Sequence, residues 1–199
     1  MTWIQGVVLD PTPKSEEKIL RQVRDFLQRS ENHRGRVRMH IGLIIYCLPD
    51  EVIKQVTEKL GEIAEKLKPV TIKLEGLQKF GSKYIAFKIN SEDLRQIHET
   101  VAEALSPIVK GNFNPRYLEE NLLPNQEYYL KNYGYHRIKE YFEPHLTIGK
   151  YENEEIRDAE MALAPKIEGE LVFDKLVVDN SEAGSPIPSV IIWEKKLGG

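Results

Sequence analysis

The sequence predicts an α+β protein assembled as a duplicated, two-lobed unit, and three observations carry that expectation. Short apolar, β-branched runs alternate with stretches whose apolar residues recur at helical spacing. The order strand, helix, histidine-bearing strand, helix, strand occurs twice along the chain. The histidines in equivalent places, His40 and His145, stand about half the chain apart. The repeat lies in element order alone, without residue-level repetition. A pseudo-twofold arrangement of halves near 1–82 and 83–199, intertwined within a single domain spanning 1–199, brings two equivalent strands together and sets two imidazoles across one cleft.

The elements follow in order. Residues 4–9 form a short β-rich run, after which Thr12 reads as a helix N-cap with Pro13 at the first helical position, where a missing N–H leaves no bond unmade. Ile19, Leu20, Val23, Phe26 and Leu27 then recur at helical spacing until Ser30, Glu31 and Asn32 break the pattern. Residues 37–48, carrying His40, read as a mostly buried strand. Pro49 and Asp50 open a second helix with the stripe Val52, Val56, Leu60, Ile63, Ala64 and Leu67, ended by Pro69. Strands are expected over 70–77 and 83–89. Ser91 caps a third helix with the stripe Leu94, Ile97, Val101, Ala104 and Leu105, expected to stop at Pro107. An irregular stretch leads to the His145 strand, a weaker helix marked by Ile156, Ala159 and Leu163 ends at Pro165, and strands over 170–178 and 190–193 close the sequence.

Composition bounds the possibilities. Hydrophobic residues make up 41% of the 199 positions, which supports a real core in a chain too short for several domains. The longest apolar run, 41–48, is far short of the roughly 20 residues that cross a bilayer. Residues 1–10 lack the basic start and cleavage site of a signal peptide, so no membrane association or export is expected. A lone cysteine, Cys47, forms no internal disulfide and suits a reducing compartment; a cytoplasmic protein is expected. The formal charge of −3 gives no general field for long nucleic acid, so any such ligand must meet a local patch. The run His33, Arg34, Arg36 and Arg38 is one candidate, and a solvated basic loop is the plainer reading of it. The acidic balance, without a long exposed apolar segment, favours a monomer.

The chemistry is expected at the two histidine strands. In Pro144-His145-Leu146-Thr147-Ile148-Gly149, His145 and Thr147 are two apart, so on a strand both point to one face while Leu146 and Ile148 pack on the other. An imidazole moves a proton near neutral pH, and a hydroxyl two residues on donates to an oxygen of the same ligand. The first half offers Met39-His40-Ile41-Gly42-Leu43-Ile44, with glycine where the second half has threonine. Either histidine alone could be a satisfied core residue, but matching places in two halves argue for shared chemistry.

With these residues in place, the sequence resembles the two-histidine (2H) phosphoesterase superfamily, which contains the 2′-5′ RNA ligase-like proteins and cyclic phosphodiesterases. The likeness covers most of the chain and rests on one His-x-Thr/Ser motif per lobe; 144–148 match the second motif, and the first matches at His40 but has Gly42 in the hydroxyl position. The resemblance implies pseudo-twofold antiparallel sheets flanked by helices around a central cleft. It implies hydrolysis of 2′,3′-cyclic or 2′-5′ phosphodiesters of RNA ends or small nucleotides, with His40 and His145 as acid and base and Thr147 holding a phosphoryl oxygen, without a metal or cofactor. Gly42 leaves one phosphate-binding hydroxyl missing, so a second reading is a binding module that keeps the pocket and has lost turnover.

Other positions could complete such a site. Residues 113–135 lack a sustained pattern but hold Phe113, Tyr117, Tyr128, Tyr129, Tyr133 and Tyr135, followed by His136, Arg137 and Lys139. They could form a lid on which a base stacks, or tyrosines packing an ordered loop on the body. Tyr135, Arg137, Arg38 and Lys150, with the Gly42 backbone, are candidate substrate-binding positions, and Arg36 lies near enough in sequence to join them. His33, His98 and His136 have no metal-ligand spacing and are expected to be ordinary surface or helix residues.

Overall fold

A computed structural model describes residues 3–27, 38–182 and 190–198 of the chain. Its elements are β1 (Trp3–Pro11), α1 (Pro13–Leu27), β2 (Ile41–Tyr46), α2 (Asp50–Ala64), β3 (Val70–Leu74), β4 (Leu77–Phe80), β5 (Tyr84–Lys88), α3 (Glu92–Val109), α4 (Pro124–Tyr133), β6 (His145–Lys150), α5 (Glu154–Ala162), β7 (Gly169–Glu182) and β8 (Val190–Lys196). The expected order is present twice, as β1-α1-β2-α2-β3 and as β5-α3-β6-α5-β7. The caps are those the sequence signals: the Ser15 N–H donates to Thr12 Oγ1 (3.4 Å), and the Leu94 N–H to Ser91 Oγ (3.3 Å).

The strands make two antiparallel sheets. One has five strands in the order β2-β1-β7-β3, with β8 also on β7; the other has three, β4-β5-β6. Alternation sets which face is buried: Val70, Ile72 and Leu74 of β3 point inward while Thr71 and Lys73 are exposed. A single apolar core runs through both lobes, joining Leu9, Ile41 and Leu60 to Phe87, Leu105 and Leu146.

The duplication is deeper than element order. In the β1–β2 ladder the register shifts where Val7 faces Ile44 and Val8 faces Gly42, leaving Leu43 as an extra residue. In the β5–β6 ladder Ile85 faces Gly149 and Ala86 faces Thr147, leaving Ile148 extra. Each histidine strand therefore carries a β-bulge three residues past its histidine, and a bulge bends and twists its strand.

Several boundaries differ from expectation. The run 70–77 is not one strand: Gly76, at φ +108°, turns the chain between β3 of the larger sheet and β4 of the smaller. The lobes consequently do not follow the halves, because β4 leaves the first half while β7 and β8 return to it. The His40 strand is shorter than 37–48. It begins at Ile41 and ends at Tyr46, since the Leu48 N–H donates to the Gln5 side chain (2.8 Å) instead of a ladder partner; Val37 lies outside the described residues. Helix α3 runs past Pro107 to Val109, because a proline in the last turn removes one bond while the buried Leu105 and Val109 hold that turn in the core. The irregular stretch contains a 3-10 turn (Pro115–Glu119) and α4, whose Pro124 start and Gly134 stop (φ +71°) are ordinary helix punctuation. Only Leu130 and Tyr133 of α4 are buried, too few to show as a periodic stripe.

Candidate active site

Strands β2 and β6 meet at the seam between the sheets. His40 immediately precedes β2, and His145 opens β6. The Nδ1–H of His40 donates to the Arg38 carbonyl (3.1 Å), and that of His145 to the Glu143 carbonyl (2.8 Å). A carbonyl only accepts, so these bonds assign a hydrogen to Nδ1 in both rings, and in the neutral form of either ring the lone pair is on Nε2. The two imidazoles are thus fixed by the same device, a bond back to the carbonyl two residues earlier.

Both rings line one cleft of about 170 Å³, together with Gly42, Thr147, Phe80, Tyr135, Arg137, Tyr141, Phe142 and Glu143. Phe80 stacks on His145 with ring centroids 3.8 Å apart. Burial lowers the His145 pKa below the ordinary histidine value; the Glu143 carbonyl opposes this, and positive charge on His40 adds to it. Thr147 shares the His145 face and sits opposite the small Ala86. At Gly42 an added Cβ would meet nothing within 4 Å, so the missing hydroxyl reflects no lack of room.

Tyr135 and Arg137 are brought to the cleft by the end of α4. Gly134 turns the chain there in the left-handed region, and a Cβ on it would lie 2.6 Å from the Asn112 carbonyl oxygen. Among the other tyrosines only Tyr141 lines the cleft. Tyr117 packs on Tyr135 and His136, and Tyr129 on Tyr133, so most of the aromatic stretch packs on the body.

Two expected contributors are not brought to the cleft. The Arg38 guanidinium is committed elsewhere, donating to both Asp10 carboxylate oxygens (2.7 and 2.8 Å) and to Asp179 Oδ2 (3.1 Å). Lys150 ends β6 opposite Tyr84, away from the cleft lining. His33, Arg34 and Arg36 lie outside the described residues. His98 lies on helix α3, as expected, but is buried there, and His136 is buried as well rather than at the surface. His98 donates from Nδ1 to the Leu43 carbonyl (3.1 Å), accepts the Lys139 N–H on Nε2 (3.1 Å), and stacks on Phe142 at 3.9 Å. Phe80, Phe142 and Glu143 were not legible as site residues. Phe80 and Phe142 are apolar side chains without a polar signature, and Glu143 contributes its backbone carbonyl to the His145 tautomer.

Size does not mark the site. A larger hollow of about 610 Å³ beside 73–77 and 164–169 contains neither histidine nor hydroxyl side chain. Among the described residues no three His, Cys, Asp or Glu side chains gather as a metal site, and no helix is long and apolar enough to cross a membrane.

The family model of the 2′-5′ RNA ligase superfamily matches residues 10–183. The chain belongs to that superfamily. Solved structures of the same fold agree in extent. Escherichia coli LigT complexed with 3′-AMP is 13% identical with a TM-score of 0.60, covering 99% of each chain. A Thermus thermophilus protein is 14% identical at a TM-score of 0.60, covering 100% of this chain and 99% of its own. LigT has also been crystallised with ATP. No curated protein sequence matches the chain. As a 2′-5′ RNA ligase superfamily member, the protein has its two histidines at the seam of two bulged strands, with a threonine beside one and a glycine beside the other.

Proposed function

We propose that the protein is a phosphodiesterase that opens 2′,3′-cyclic phosphates or cleaves 2′-5′ phosphodiesters at RNA ends or on small nucleotides, using His40 and His145 as its acid/base pair. The observation that carries this reading is the matched pair of imidazoles, each tied through Nδ1 to the carbonyl two residues back, with both rings lining one cleft. Membership of the superfamily and the LigT complex with 3′-AMP support a nucleotide ligand.

In hydrolysis one Nε2 accepts a proton from water as the water oxygen attacks phosphorus. The other imidazole, protonated, gives its proton to the departing ribose oxygen. The reverse sequence joins a ribose hydroxyl to the phosphate. The Thr147 hydroxyl donates to a non-bridging phosphoryl oxygen. On the Gly42 side that donation falls to the Arg137 guanidinium and the Tyr135 hydroxyl, which line the same cleft. No step draws on a metal.

The test is turnover of 2′,3′-cyclic mononucleotides and a 2′-5′ dinucleotide in EDTA by the native protein, His40→Ala and His145→Ala. Each substitution should lower kcat by about 10²–10⁴-fold with smaller change in KM. Native protein that binds these ligands without converting them would replace this reading with the binding module, for which Gly42 is the specific argument.

A further inference from the structure

Both imidazoles bond through Nδ1 to the carbonyl two residues back, yet the two accepting peptides are held by different means. The carbonyl that holds His145 belongs to the peptide joining Glu143 to Pro144, and proline has no N–H. That stretch is steadied by the backbone beside it: His145 pairs with Lys88 in the β5–β6 ladder, and the Ile89 N–H donates to the Pro144 carbonyl (3.3 Å). On the His40 side the β1–β2 ladder ends where Leu9 faces Ile41, so residues 38–40 lie beyond it.

Side chains take over there. The carbonyl that holds His40 shares its peptide with the Met39 N–H, and that N–H donates to Glu16 Oε1 in the first turn of α1 (3.1 Å). A peptide unit is planar, so a bond that aims its N–H also aims its carbonyl, in the opposite direction. The Met39 side chain is fully buried, which fixes where the segment meets the core but not how the peptide before it is turned. On the other flank the Arg38 guanidinium grips Asp10 of β1 and Asp179 of β7, which are 13% and 9% exposed, so solvent screens little of that attraction. Asp179 stands opposite Gly6 in the β1–β7 ladder; a Cβ at Gly6 would lie 2.6 Å from Asp179 Oδ1, so the glycine makes room for the carboxylate.

We infer that Glu16 is a positioning residue for His40, acting through the peptide between Arg38 and Met39. The inference rests on the acid/base reading of His40 for its catalytic consequence. The chain of bonds runs from the Glu16 carboxylate to the Met39 N–H, and from the Arg38 carbonyl to the His40 Nδ1–H. Hydrogen bonds in series polarise one another, so the carboxylate makes the Arg38 carbonyl a stronger acceptor. That favours the tautomer with its hydrogen on Nδ1 and keeps Nε2 for proton transfer. Glu16 touches no reacting atom; its effect reaches His40 through the backbone. His145 cannot be served in this way, since its accepting peptide has no N–H, and it is therefore an internal control.

The experiment follows the ring nitrogens of both histidines by long-range proton–nitrogen NMR at about pH 8, above the ordinary histidine range. Native protein, Glu16→Ala and Glu16→Gln are compared, with kcat and KM on a 2′,3′-cyclic mononucleotide and Tm measured alongside. In native protein both rings should carry their hydrogen on Nδ1. In Glu16→Ala the His40 signals should move toward the Nε2–H form that free imidazole side chains favour, while those of His145 stay in place. There kcat should fall roughly tenfold, less than the about 10²-fold that a misplacement of about 1 Å can cost, and KM should stay within about twofold. Glu16→Gln keeps an acceptor at the same atom and should restore the His40 tautomer and most of kcat. A His40 tautomer untouched by Glu16→Ala, a His145 that shifts with it, or a glutamine variant no better than alanine would overturn the positioning role. Native protein without turnover, in which Glu16→Ala still moves His40 alone, keeps that role and removes the phosphodiesterase. Turnover that is abolished by His40→Ala but unchanged in Glu16→Ala, with the tautomer also unchanged, keeps the phosphodiesterase and removes the role.

Discussion

Gly42 and Thr147 occupy equivalent places, each two residues past a histidine and one residue before a bulge, and they differ by a hydroxyl-bearing side chain. The space at Gly42 is open and its backbone is not left-handed, so Gly42→Ser should fit without strain. Removing glycine's extra freedom from a strand edge should leave stability unchanged or raise it by up to about 1 kcal/mol. The new hydroxyl would face the same cleft as Thr147. If the phosphoryl group is short of a donor there, kcat/KM should rise about tenfold, less than the 10²–10³ that losing an established donor costs. An unaltered kcat/KM with unaltered Tm would show that Arg137 and Tyr135 already supply that interaction. Steady-state kinetics of the serine variant beside thermal melting separates these outcomes.

The elements that hold the site together were only partly legible. The histidine strands showed because β-branched runs surround a polar residue, and the His145/Thr147 face followed from strand alternation alone. Helix α4 did not show, since its buried face is two residues, and neither did the role of His98, whose partners are backbone groups far away in sequence. Yet His98 joins three parts of the site: the bulge of β2 at Leu43, the cleft-lining Phe142, and Lys139, a non-glycine residue at φ +54°. Strain of that kind persists only where the surroundings over-determine it. His98→Leu leaves the Leu43 carbonyl and the Lys139 N–H without this partner, at about 1–3 kcal/mol each. The variant should melt earlier and turn over more slowly. His98→Gln, which keeps a donor and an acceptor on one side chain, should recover part of both losses. Equal kcat in native protein and His98→Leu would limit His98 to packing.

At the scale of the molecule, the sequence order disclosed the duplication and intertwined halves but not which strands are exchanged, because the turn at Gly76 is a single residue within an otherwise strand-like run. The continuous core and the exchanged strands tie both lobes to the buried His98 and His136 and the half-buried His145, and these set how the fold responds to acid. Burial lowers the His98 pKa to about 4, and burial lowers His136 and His145 as well. Each binds its proton less readily when folded than when unfolded, where histidine titrates near 6.5, so below that pH the unfolded chain binds more protons. The stabilisation is therefore complete above about pH 6.5 and is lost as pH falls toward the folded values. His98 alone should account for about 2 kcal/mol between pH 7.5 and 5. The carboxylates held low, such as Glu62, Glu140 and Asp158, are exposed surface groups that titrate below this window and add little there. Urea unfolding at pH 7.5 and 5 should show that loss in the native protein. In His98→Gln the protein should start less stable at pH 7.5 but lose about 2 kcal/mol less on acidification, since glutamine does not titrate. If native protein and His98→Gln lose stability equally between the two pH values, the acid response belongs to other groups and His98 is not held neutral by its burial.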